Sequence, residues 1–267
     1  MKQIFPELPI LRVNQGYQFH FAADCPCIEE AITQVLEQAP PQDAILKSDH
    51  KRLLFKAENK KGDAFVVKIN LLPRFKDKLR AKRFAPQEYY CHNRIAAMGL
   101  PVPALWGYFH KKQLGLCREN GLIIAFLTET RTLKPEEGAL AAPIIAQLYA
   151  KGINHPDLMC NNIMLRENDK SVFLIDLESC SFTEPGDIRL PLMNLARYIE
   201  YNQDDLHSPA NQEMIRSCYA LLSEPALNLD DFHRLISILH KYHLKTRQRI
   251  NLVLPNEAVQ ELQYILS

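Results

Sequence analysis

The sequence lacks the features that would place a protein in a membrane, in the secretory pathway or on nucleic acid. No apolar run approaches the roughly 20 residues that a membrane-spanning helix needs. The first 19 residues lack the uninterrupted apolar region and the small-residue cleavage site of a signal peptide. The formal net charge is only +1, so bulk charge gives no argument for a nucleic-acid partner. We therefore expect a soluble, cytoplasmic protein, which could still work at a membrane surface.

The cysteines lack the number and spacing of a disulfide framework or a metal site. There are seven, an odd number, and none shows the tight spacing of metal ligands. Cys25 and Cys27 are only two positions apart, and we interpret the thiols as free in a reducing compartment. Most of them are expected to act as small buried hydrophobes.

Internal repeats and low-complexity segments are also absent, and the apolar pattern divides the chain into three parts. With 267 residues, 47% of them hydrophobic, the chain can bury a large core. Residues 1–42 are predicted to form an N-terminal extension that packs on the following lobe. It contains an extended piece near Tyr17–Phe21 and a helix over Ile28–Glu37, which Pro40 and Pro41 terminate.

Strands dominate the predicted second part, residues 43–130. The segments AILKS, RLLFKA, AFVVKIN, PVPALWGYF and GLIIAFLTE have the composition of strands. Among them lie a polar connector at 71–85 and a helix at 86–98, with Pro86 in its first turn and Gly99 just past its end. We predict a small β-rich lobe that carries one long helix.

Helical patterns dominate the predicted third part, residues 131–267. GALAAPIIAQLYAKG is a largely apolar helix, and four more helices are predicted at 191–202, 210–222, 230–245 and 255–266. A small β-rich lobe, a hinge around 127–133 and a larger helical lobe make a bilobal protein of the α+β class.

The segment INHPDLMCNNIMLRENDKSVFLID at 153–176 carries the strongest chemical signal in the chain. His155, Asp157 and Asn162 follow the spacing H-x-D-L-x-x-x-N, and two apolar strand-like runs then lead to Asp176. This spacing is typical of a phosphoryl-transfer catalytic loop followed by a metal-binding aspartate. An acid must meet the attacking hydroxyl, while an amide and a second carboxylate hold Mg²⁺ between nucleotide phosphates. The alternative is that these residues only shape turns and end a strand.

Lys68 and Glu88 are the upstream residues that phosphoryl transfer would use. Lys68 lies in the apolar strand AFVVKIN, where burying an unpaired lysine is costly, so we expect it to bind the α- and β-phosphates. Glu88 is the only acid on the following helix and could pair with Lys68, holding it towards the nucleotide. The alternatives are an edge-strand lysine that points to water and a first-turn acid that stabilises a helix N-terminus.

The glycine-rich loop that would cover nucleotide phosphates is missing. Such a loop cradles phosphates with its backbone N–H groups, whereas the corresponding turn at 47–52 contains no glycine. Ser48 or the backbone amides could still contact phosphate, or the turn could be an ordinary polar hairpin. In the hinge segment, Glu129 is also expected to contact the nucleotide.

A basic run is unusual in a chain of nearly zero net charge. Between positions 74 and 83 the only acid is Asp77, and the cations are Arg74, Lys76, Lys78, Arg80, Lys82 and Arg83. Such a patch could attract an anionic acceptor or an anionic membrane surface, or it could be a solvated connector.

Further candidates follow Asp176. The next residues are Leu-Glu-Ser-Cys rather than Phe-Gly, and Glu178 could add a carboxylate near the metal or only hydrogen-bond in the turn. Asp187, Arg189 and Arg197 could orient the catalytic loop or bind the acceptor. We expect the helix that contains Arg197 to pack under that loop.

These residues resemble a known family, the lipopolysaccharide core kinases that phosphorylate Kdo or heptose. INHPDLMCNNIML followed by VFLIDLESC is similar to the catalytic segment of that family, and EYYCHNRIAAMGLPVPALWGYF is similar to its long helix, Gly-x-P-x-P turn and strand. The resemblance covers about residues 43–200. It implies the protein-kinase-like fold with ATP and Mg²⁺, in a group that typically lacks the glycine-rich loop and replaces Asp-Phe-Gly.

The resemblance also implies a role for each matching residue. Lys68 would bind the nucleotide phosphates, and Glu88 would pair with Lys68. His155 would stabilise the loop, and Asp157 would be the catalytic base. The metal ligands would be Asn162 and Asp176. Two departures from the family pattern leave the acceptor sugar open. Met159 and Cys160 replace the usual small or polar residues, and Asn-Leu-Ala-Arg at 194–197 replaces an expected Asp-Leu-x-x-Leu.

Three functions are consistent with these residues. The first is phosphorylation of a Kdo or heptose hydroxyl of the lipopolysaccharide inner core, on an anionic sugar or glycolipid acceptor at the cytoplasmic face of the inner membrane. The second is phosphorylation of a cationic small molecule, since aminoglycoside and choline kinases also use H-x-D-x-x-x-x-N. The third is a catalytically silent kinase-like binding module, which the missing glycine loop favours. The basic run favours an anionic acceptor, and the absence of an Ala-Pro-Glu signature argues against a protein substrate.

Overall fold

The computed structural model describes residues 10–81, 84–201, 205–222 and 227–266. They form two compact units. The first contains the residues up to Arg94 and Pro103–Leu127, and the second contains Ile95–Val102 and the residues from Thr128 onwards. The first unit is β-rich and the second is mainly helical, which confirms the predicted α+β class. Within the described ranges, no helix is long and apolar enough to cross a membrane.

A seven-stranded antiparallel sheet forms most of the first unit. Its strands are β1 (Ile10–Asn14), β2 (Tyr17–Phe21), β3 (Ile45–Ser48), β4 (Arg52–Glu58), β5 (Ala64–Leu71), β6 (Leu105–Gln113) and β7 (Leu116–Ala125). Their order in the sheet is β1-β2-β6-β7-β5-β4-β3. Since β2 pairs with β6, the segment predicted as an N-terminal extension contributes two strands to this sheet.

Three helices belong to this part of the chain, and two of them cover opposite faces of the sheet. They are α1 (Ile28–Glu37), α2 (Phe75–Leu79) and α3 (Ala85–Ala97). The face under α1 is a core of alternate apolar side chains that includes Phe19, Phe55, Phe65 and Phe109. Tyr89 of α3 packs with Leu122 on the other face.

The polar connector predicted at 71–85 is not structureless. It contains the helical turn α2, in which the amides of Asp77 and Lys78 donate to the carbonyl oxygen of Arg74. A helix this short shows no apolar periodicity, so the sequence pattern did not predict it. Lys82 and Arg83 of the basic run lie outside the described residues.

The second unit is built from helices with small strand pairs between them. Its helices are α4 (Ala142–Ala150), α5 (Arg189–Tyr201), α6 (Pro209–Leu221), α7 (Leu229–Tyr242), α8 (Thr246–Ile250) and α9 (Asn256–Leu266). The strands are β8 (Thr130–Thr132), β9 (Ile153–Asn154), β10 (Ile163–Arg166), β11 (Val172–Leu174) and β12 (Ser181–Phe182). They pair in the orders β11-β10-β8 and β12-β9.

The helix predicted over 230–245 ends earlier than expected. α7 buries Phe232, Leu235, Ile236 and Leu239 at helical spacing, which holds one face against the core. It stops at His243, whose φ of 44° is left-handed and cannot continue a helix. The separate helix α8 follows, and the sequence pattern did not predict it.

Gly152 turns the chain from α4 into β9, immediately before the motif segment. Its φ is +65°, and a Cβ at this position would collide with the backbone of residues 183–185. Only glycine can adopt this conformation in so little space. The close approach fixes the position of β9, and so of the start of the motif segment, within the second unit.

Candidate active site

The predicted ion pair between Lys68 and Glu88 is present in the first unit. The Nζ atom of Lys68, on β5, lies 2.7 Å and 2.9 Å from the two carboxylate oxygens of Glu88, in the first turn of α3. Their relative exposures are only 7% and 2%. Mutual pairing is what makes the burial of both charges tolerable. The pair links the sheet to α3 and holds the ammonium group at one position.

Two buried asparagines, which sequence reasoning missed, fasten the start of α3 to the sheet. The Oδ1 atom of Asn120 accepts hydrogen bonds from the Nδ2 of Asn70 at 3.1 Å and from the amide of Ala85 at 3.4 Å. Its Nδ2 donates to the carbonyl oxygen of Ala81 at 3.0 Å. Little in the sequence marked them, since Asn70 ends the predicted strand AFVVKIN and Asn120 directly precedes the predicted strand GLIIAFLTE. These contacts position the helix turn that carries Glu88.

The turn that replaces a glycine-rich loop is closed by its own aspartate. The Oδ1 atom of Asp49 accepts hydrogen bonds from the amides of Lys51 and Arg52, at 2.7 Å and 2.9 Å. The hydrogen bond from the Lys51 amide contributes most to holding the pKa of the Asp49 carboxyl below its usual range, and the bond from the Arg52 amide acts in the same direction. Ser48 lies at the exposed end of β3. Two of the backbone amides considered for phosphate binding therefore already have an anionic partner.

In the second unit, the motif loop is tied to the strand that leads to Asp176. His155 is fully buried, and its Nε2 atom lies 3.3 Å from the carbonyl oxygen of Ile175. Burial lowers the pKa of His155, so the ring is neutral and Nε2–H donates. The Nδ2 of Asn162 donates to the carbonyl oxygen of Asp157 at 2.9 Å. The amide of Ile175 donates to the carbonyl oxygen of Asn162 at 3.1 Å.

Asp176, two residues past the end of β11, adopts a left-handed conformation. Its φ and ψ are 58° and 59°, and a short 3-10 turn over Leu177–Ser179 follows. Aspartate tolerates this region better than most residues, and such strain is concentrated at functional sites. The turn brings one carboxylate oxygen of Asp176 within 4.8 Å of one of Glu178.

The side-chain oxygens of the predicted metal ligands are of the kind that suits a divalent metal. An amide that donates through Nδ2, as Asn162 does, presents its Oδ1 as the acceptor end. Together with the two carboxylates, this is a set of hard oxygen ligands, which Mg²⁺ and Ca²⁺ prefer. Asp176 and Glu178 thus offer two carboxylates close together, and Asn162, the other predicted ligand, offers an oxygen of the same chemical kind.

Asp157 is held by a charged partner on α5. Its Oδ1 accepts hydrogen bonds from the Nη2 and Nε of Arg197, at 2.7 Å and 3.2 Å. The Asp157 side chain is 39% exposed, whereas that of Arg197 is only 16% exposed. One oxygen of the carboxylate is thus anchored, while the side chain as a whole stays partly exposed.

A second arginine, Arg249 on α8, also contacts the loop that contains Asp157. Its Nε donates to the carbonyl oxygen of Pro156 at 2.9 Å, and further hydrogen bonds join its guanidinium to the Leu244 carbonyl oxygen and to Oγ1 of Thr246. Arg249 is 6% exposed, and burial lowers its pKa from the ordinary value. No local sequence signal marked this residue.

Glu200 joins the two arginines. Its Oε2 lies 3.9 Å from Nη1 of Arg197 and 3.6 Å from Nη1 of Arg249. Asn154, in β9 just before the loop, also contacts Arg249, since its Nδ2 donates a hydrogen bond to the backbone oxygen of Arg249 at 2.8 Å. The loop around Asp157 is therefore positioned by a network from α5 and α8 in addition to the local contacts of His155 and Asn162.

Three other candidate residues lie in separate contacts. The carboxylate of Glu129 accepts a hydrogen bond from Nδ2 of Asn168 at 3.1 Å. Asp187 and Arg189 form an ion pair with each other at 2.7 Å. Of the three residues considered for orienting the loop, only Arg197 makes a described contact with Asp157.

Comparisons with known proteins identify the fold. A structure of WaaP in complex with acyl carrier protein matches with a TM-score of 0.55 and 15% sequence identity, over 83% of this chain and 92% of that chain. The amicoumacin kinase hAmiN in complex with AMP-PNP, Ca²⁺ and Ami matches with a TM-score of 0.54 and 10% identity, over 88% and 91%. No protein-family model matches the sequence, and no curated protein does. The chain has the protein-kinase-like fold that its motifs predicted.

Proposed function

From the protein-kinase-like fold, we propose that this chain is an ATP- and Mg²⁺-dependent kinase that phosphorylates a Kdo or heptose hydroxyl of the lipopolysaccharide inner core. The observation that carries the proposal is the anchored carboxylate of Asp157, whose Oδ1 is bound by Arg197 while the side chain remains 39% exposed. A base that must meet a substrate hydroxyl needs this combination of a held carboxylate and access from outside.

The proposed reaction is a direct phosphoryl transfer. The acceptor oxygen forms a bond to the γ-phosphorus as the bond from that phosphorus to the bridging oxygen of ADP breaks. The Oδ2 atom of Asp157 orients the hydroxyl and receives its proton. Arg197 holds the carboxylate in place, so most of the rate enhancement comes from positioning and electrostatics.

On the nucleotide side, Lys68 is proposed to bind the α- and β-phosphates. Glu88 holds the Lys68 ammonium group through a buried ion pair, so the group is already in place before the nucleotide binds. Asn162 and Asp176 would hold Mg²⁺, which neutralises charge on the phosphates when it is bound. Ser48 and Glu129 are proposed as secondary nucleotide contacts.

An anionic acceptor is favoured by the charge of the first unit. The basic run contains one acid among its described residues, and Arg74, Lys76 and Arg80 are exposed. WaaP has the same fold at 15% sequence identity, and the catalytic segment of this chain resembles that of the lipopolysaccharide core kinases. The hAmiN structure contains a different acceptor class, which makes a cationic small molecule the competing substrate.

Transfer of labelled phosphate to a panel of acceptors tests the proposal. Purified protein is incubated with γ-labelled ATP and Mg²⁺ against lipid A–Kdo, heptosylated core, aminoglycosides and choline. We expect label on the Kdo or heptose acceptor only. Label on an aminoglycoside or choline alone would contradict the acceptor, and nucleotide binding with no transfer to any acceptor would favour a silent binding module.

A further inference from the structure

The outward side of α2 exposes two large apolar residues that the proposed chemistry does not use. Phe75 and Leu79 are each 63% exposed. They are four positions apart, so their side chains lie next to each other on one side of the helix. A neighbouring aromatic and leucine leave apolar area in contact with water, and contact with another apolar surface would remove it.

Cationic side chains flank this apolar pair. Arg74, Lys76 and Arg80 are all exposed, and the structure gives none of them an ion pair or side-chain hydrogen bond with a described residue. Asp77, the one acid of the helix, is half-buried. The outward face of α2, consisting of residues 74–76, 79 and 80, is therefore apolar at its centre and positively charged around it.

The residues on both sides of α2 are buried and hydrogen-bonded to the sheet. Leu72 before it and Ala81 after it are buried. The amide of Leu72 donates to the carbonyl oxygen of Arg118 at 3.1 Å, and Nδ2 of Asn120 donates to the carbonyl oxygen of Ala81 at 3.0 Å. The segment that carries α2 is therefore hydrogen-bonded to β7 on both sides of the helix.

We propose that the outward face of α2 docks on an anionic phospholipid bilayer. Phe75 and Leu79 enter the boundary between headgroups and acyl chains, while Arg74, Lys76 and Arg80 bind lipid phosphates. An apolar stripe flanked by arginine and lysine is the arrangement of helices that lie in a membrane interface. Charge complementarity to lipid phosphates, beside two apolar side chains that acyl chains can bury, favours an anionic lipid surface.

This surface goes beyond the proposed function, because bilayer binding needs neither ATP nor a sugar acceptor. If the acceptor is a glycolipid, which rests on the proposed function, docking also brings the enzyme to its substrate. A vesicle experiment without acceptor separates the two ideas. Its result does not depend on whether any kinase activity is present.

Co-sedimentation with vesicles tests the proposal. The full chain is mixed with phosphatidylcholine vesicles, with or without a minor fraction of phosphatidylglycerol. We expect binding to the anionic vesicles that weakens as salt is raised. Lys76→Ala/Arg80→Ala and Phe75→Ser/Leu79→Ser are each expected to lower the partition coefficient on the order of tenfold or more.

A matched control separates the α2 face from general positive charge. Lys60→Ala/Lys61→Ala removes two exposed lysines from the turn between β4 and β5, and it should bind vesicles like the wild type. All six substituted side chains are exposed, so the melting temperatures should stay unchanged. Equal loss in the control would overturn the proposal, as would absence of binding by the wild type, which would instead point to an acidic protein partner.

Depth of insertion provides a second measurement. The chain has a single tryptophan, Trp106, which packs against the core of the first unit. In Phe75→Trp, the added fluorescence should shift to shorter wavelength on anionic vesicles and be quenched by brominated lipid acyl chains, while the wild-type signal stays constant. Absence of quenching would contradict insertion of the α2 face.

Discussion

The Nε atom of Arg249 donates a hydrogen bond to the carbonyl oxygen of Pro156 across 2.9 Å. Pro156 stands between His155 and Asp157, so a helix close to the end of the chain supports the residue that precedes the proposed base. Glu200 then connects Arg249 to Arg197, the partner of Asp157. Two arginines on different helices therefore determine where the Asp157 carboxylate lies.

Arg249→Ala should reduce turnover more than substrate binding. Loss of the guanidinium leaves the carbonyl oxygens of Pro156 and Leu244 without their buried donor, so we expect a stability loss of about 2–4 kcal/mol. A displaced loop should lower kcat by roughly 100-fold, with KM for ATP nearly unchanged. Steady-state kinetics and urea unfolding measure both quantities.

Arg247→Ala is the matched control for this prediction. Arg247 lies on the same helix but is exposed, and its removal should change neither kcat nor stability. If Arg249→Ala unfolds more easily but keeps wild-type kcat, Arg249 has only a structural role.

Removing either Lys68 or Glu88 alone should destabilise the fold more than removing both charges together. Lys68→Met or Glu88→Leu leaves an uncompensated buried charge and should lower the free energy of unfolding by about 3–5 kcal/mol. The double variant should recover much of that loss, because both charges are gone. Urea unfolding of all three variants measures the coupling, and a double variant as unstable as the sum of the singles would contradict it.

Stability should decrease on acidification, partly because of His92. Burial lowers the pKa of His92 to about 4, and its Nε2 lies 2.5 Å from the carbonyl oxygen of Pro103. Its unfolded pKa is about 6.5, so between these values the unfolded chain binds a proton that the folded chain does not. The stabilisation is present above pH 6.5 and decreases as the pH falls, by about 3 kcal/mol near pH 4.

The contribution of His92 to the pH dependence of stability can be separated from the contributions of other groups by substitution. His92→Gln should flatten the dependence of the unfolding free energy on pH between 6.5 and 4, although the half-buried His110 and the buried His155 contribute in the same direction. His50→Gln, at an exposed turn position, is the control. Unchanged curvature in His92→Gln would show that this histidine does not carry the effect.

Asp49 should weaken nucleotide binding if the turn at 47–52 covers the phosphates. Its carboxylate occupies the amides of Lys51 and Arg52. In Asp49→Ala these amides become available, so we expect KM for ATP to fall by about fivefold, the value of one net hydrogen bond. Asp49→Asn keeps a hydrogen-bond acceptor without the charge, so its KM for ATP should lie between those of the wild type and Asp49→Ala. A KM for ATP that rises in both variants would rule out this role.

Local patterns predicted the elements and motifs that depend on neighbours in sequence. The helix over Ile28–Glu37 has the predicted bounds, because apolar periodicity and the following prolines act within a few residues. The pairing of Lys68 with Glu88 could be predicted because a lysine in an apolar strand needs a partner.

Contacts between distant segments could not be predicted in the same way. Arg249 and Pro156 are separated by 93 positions, and Asn120 and Ala85 by 35. Spacing within a segment carries no information about such contacts. The short helix α2 was missed because a single turn has no periodicity, and its exposed apolar face contradicts the usual pattern of a surface helix.

Phosphate transfer by Asp157→Asn tests the central claim most directly. γ-Labelled ATP, Mg²⁺ and lipid A–Kdo or heptosylated core are incubated with the wild type and with the variant, and ATP affinity is measured in parallel. The proposed mechanism predicts that the variant binds ATP like the wild type but transfers label at least roughly 100-fold more slowly, because the proton acceptor is lost. Transfer by Asp157→Asn at the wild-type rate would contradict it.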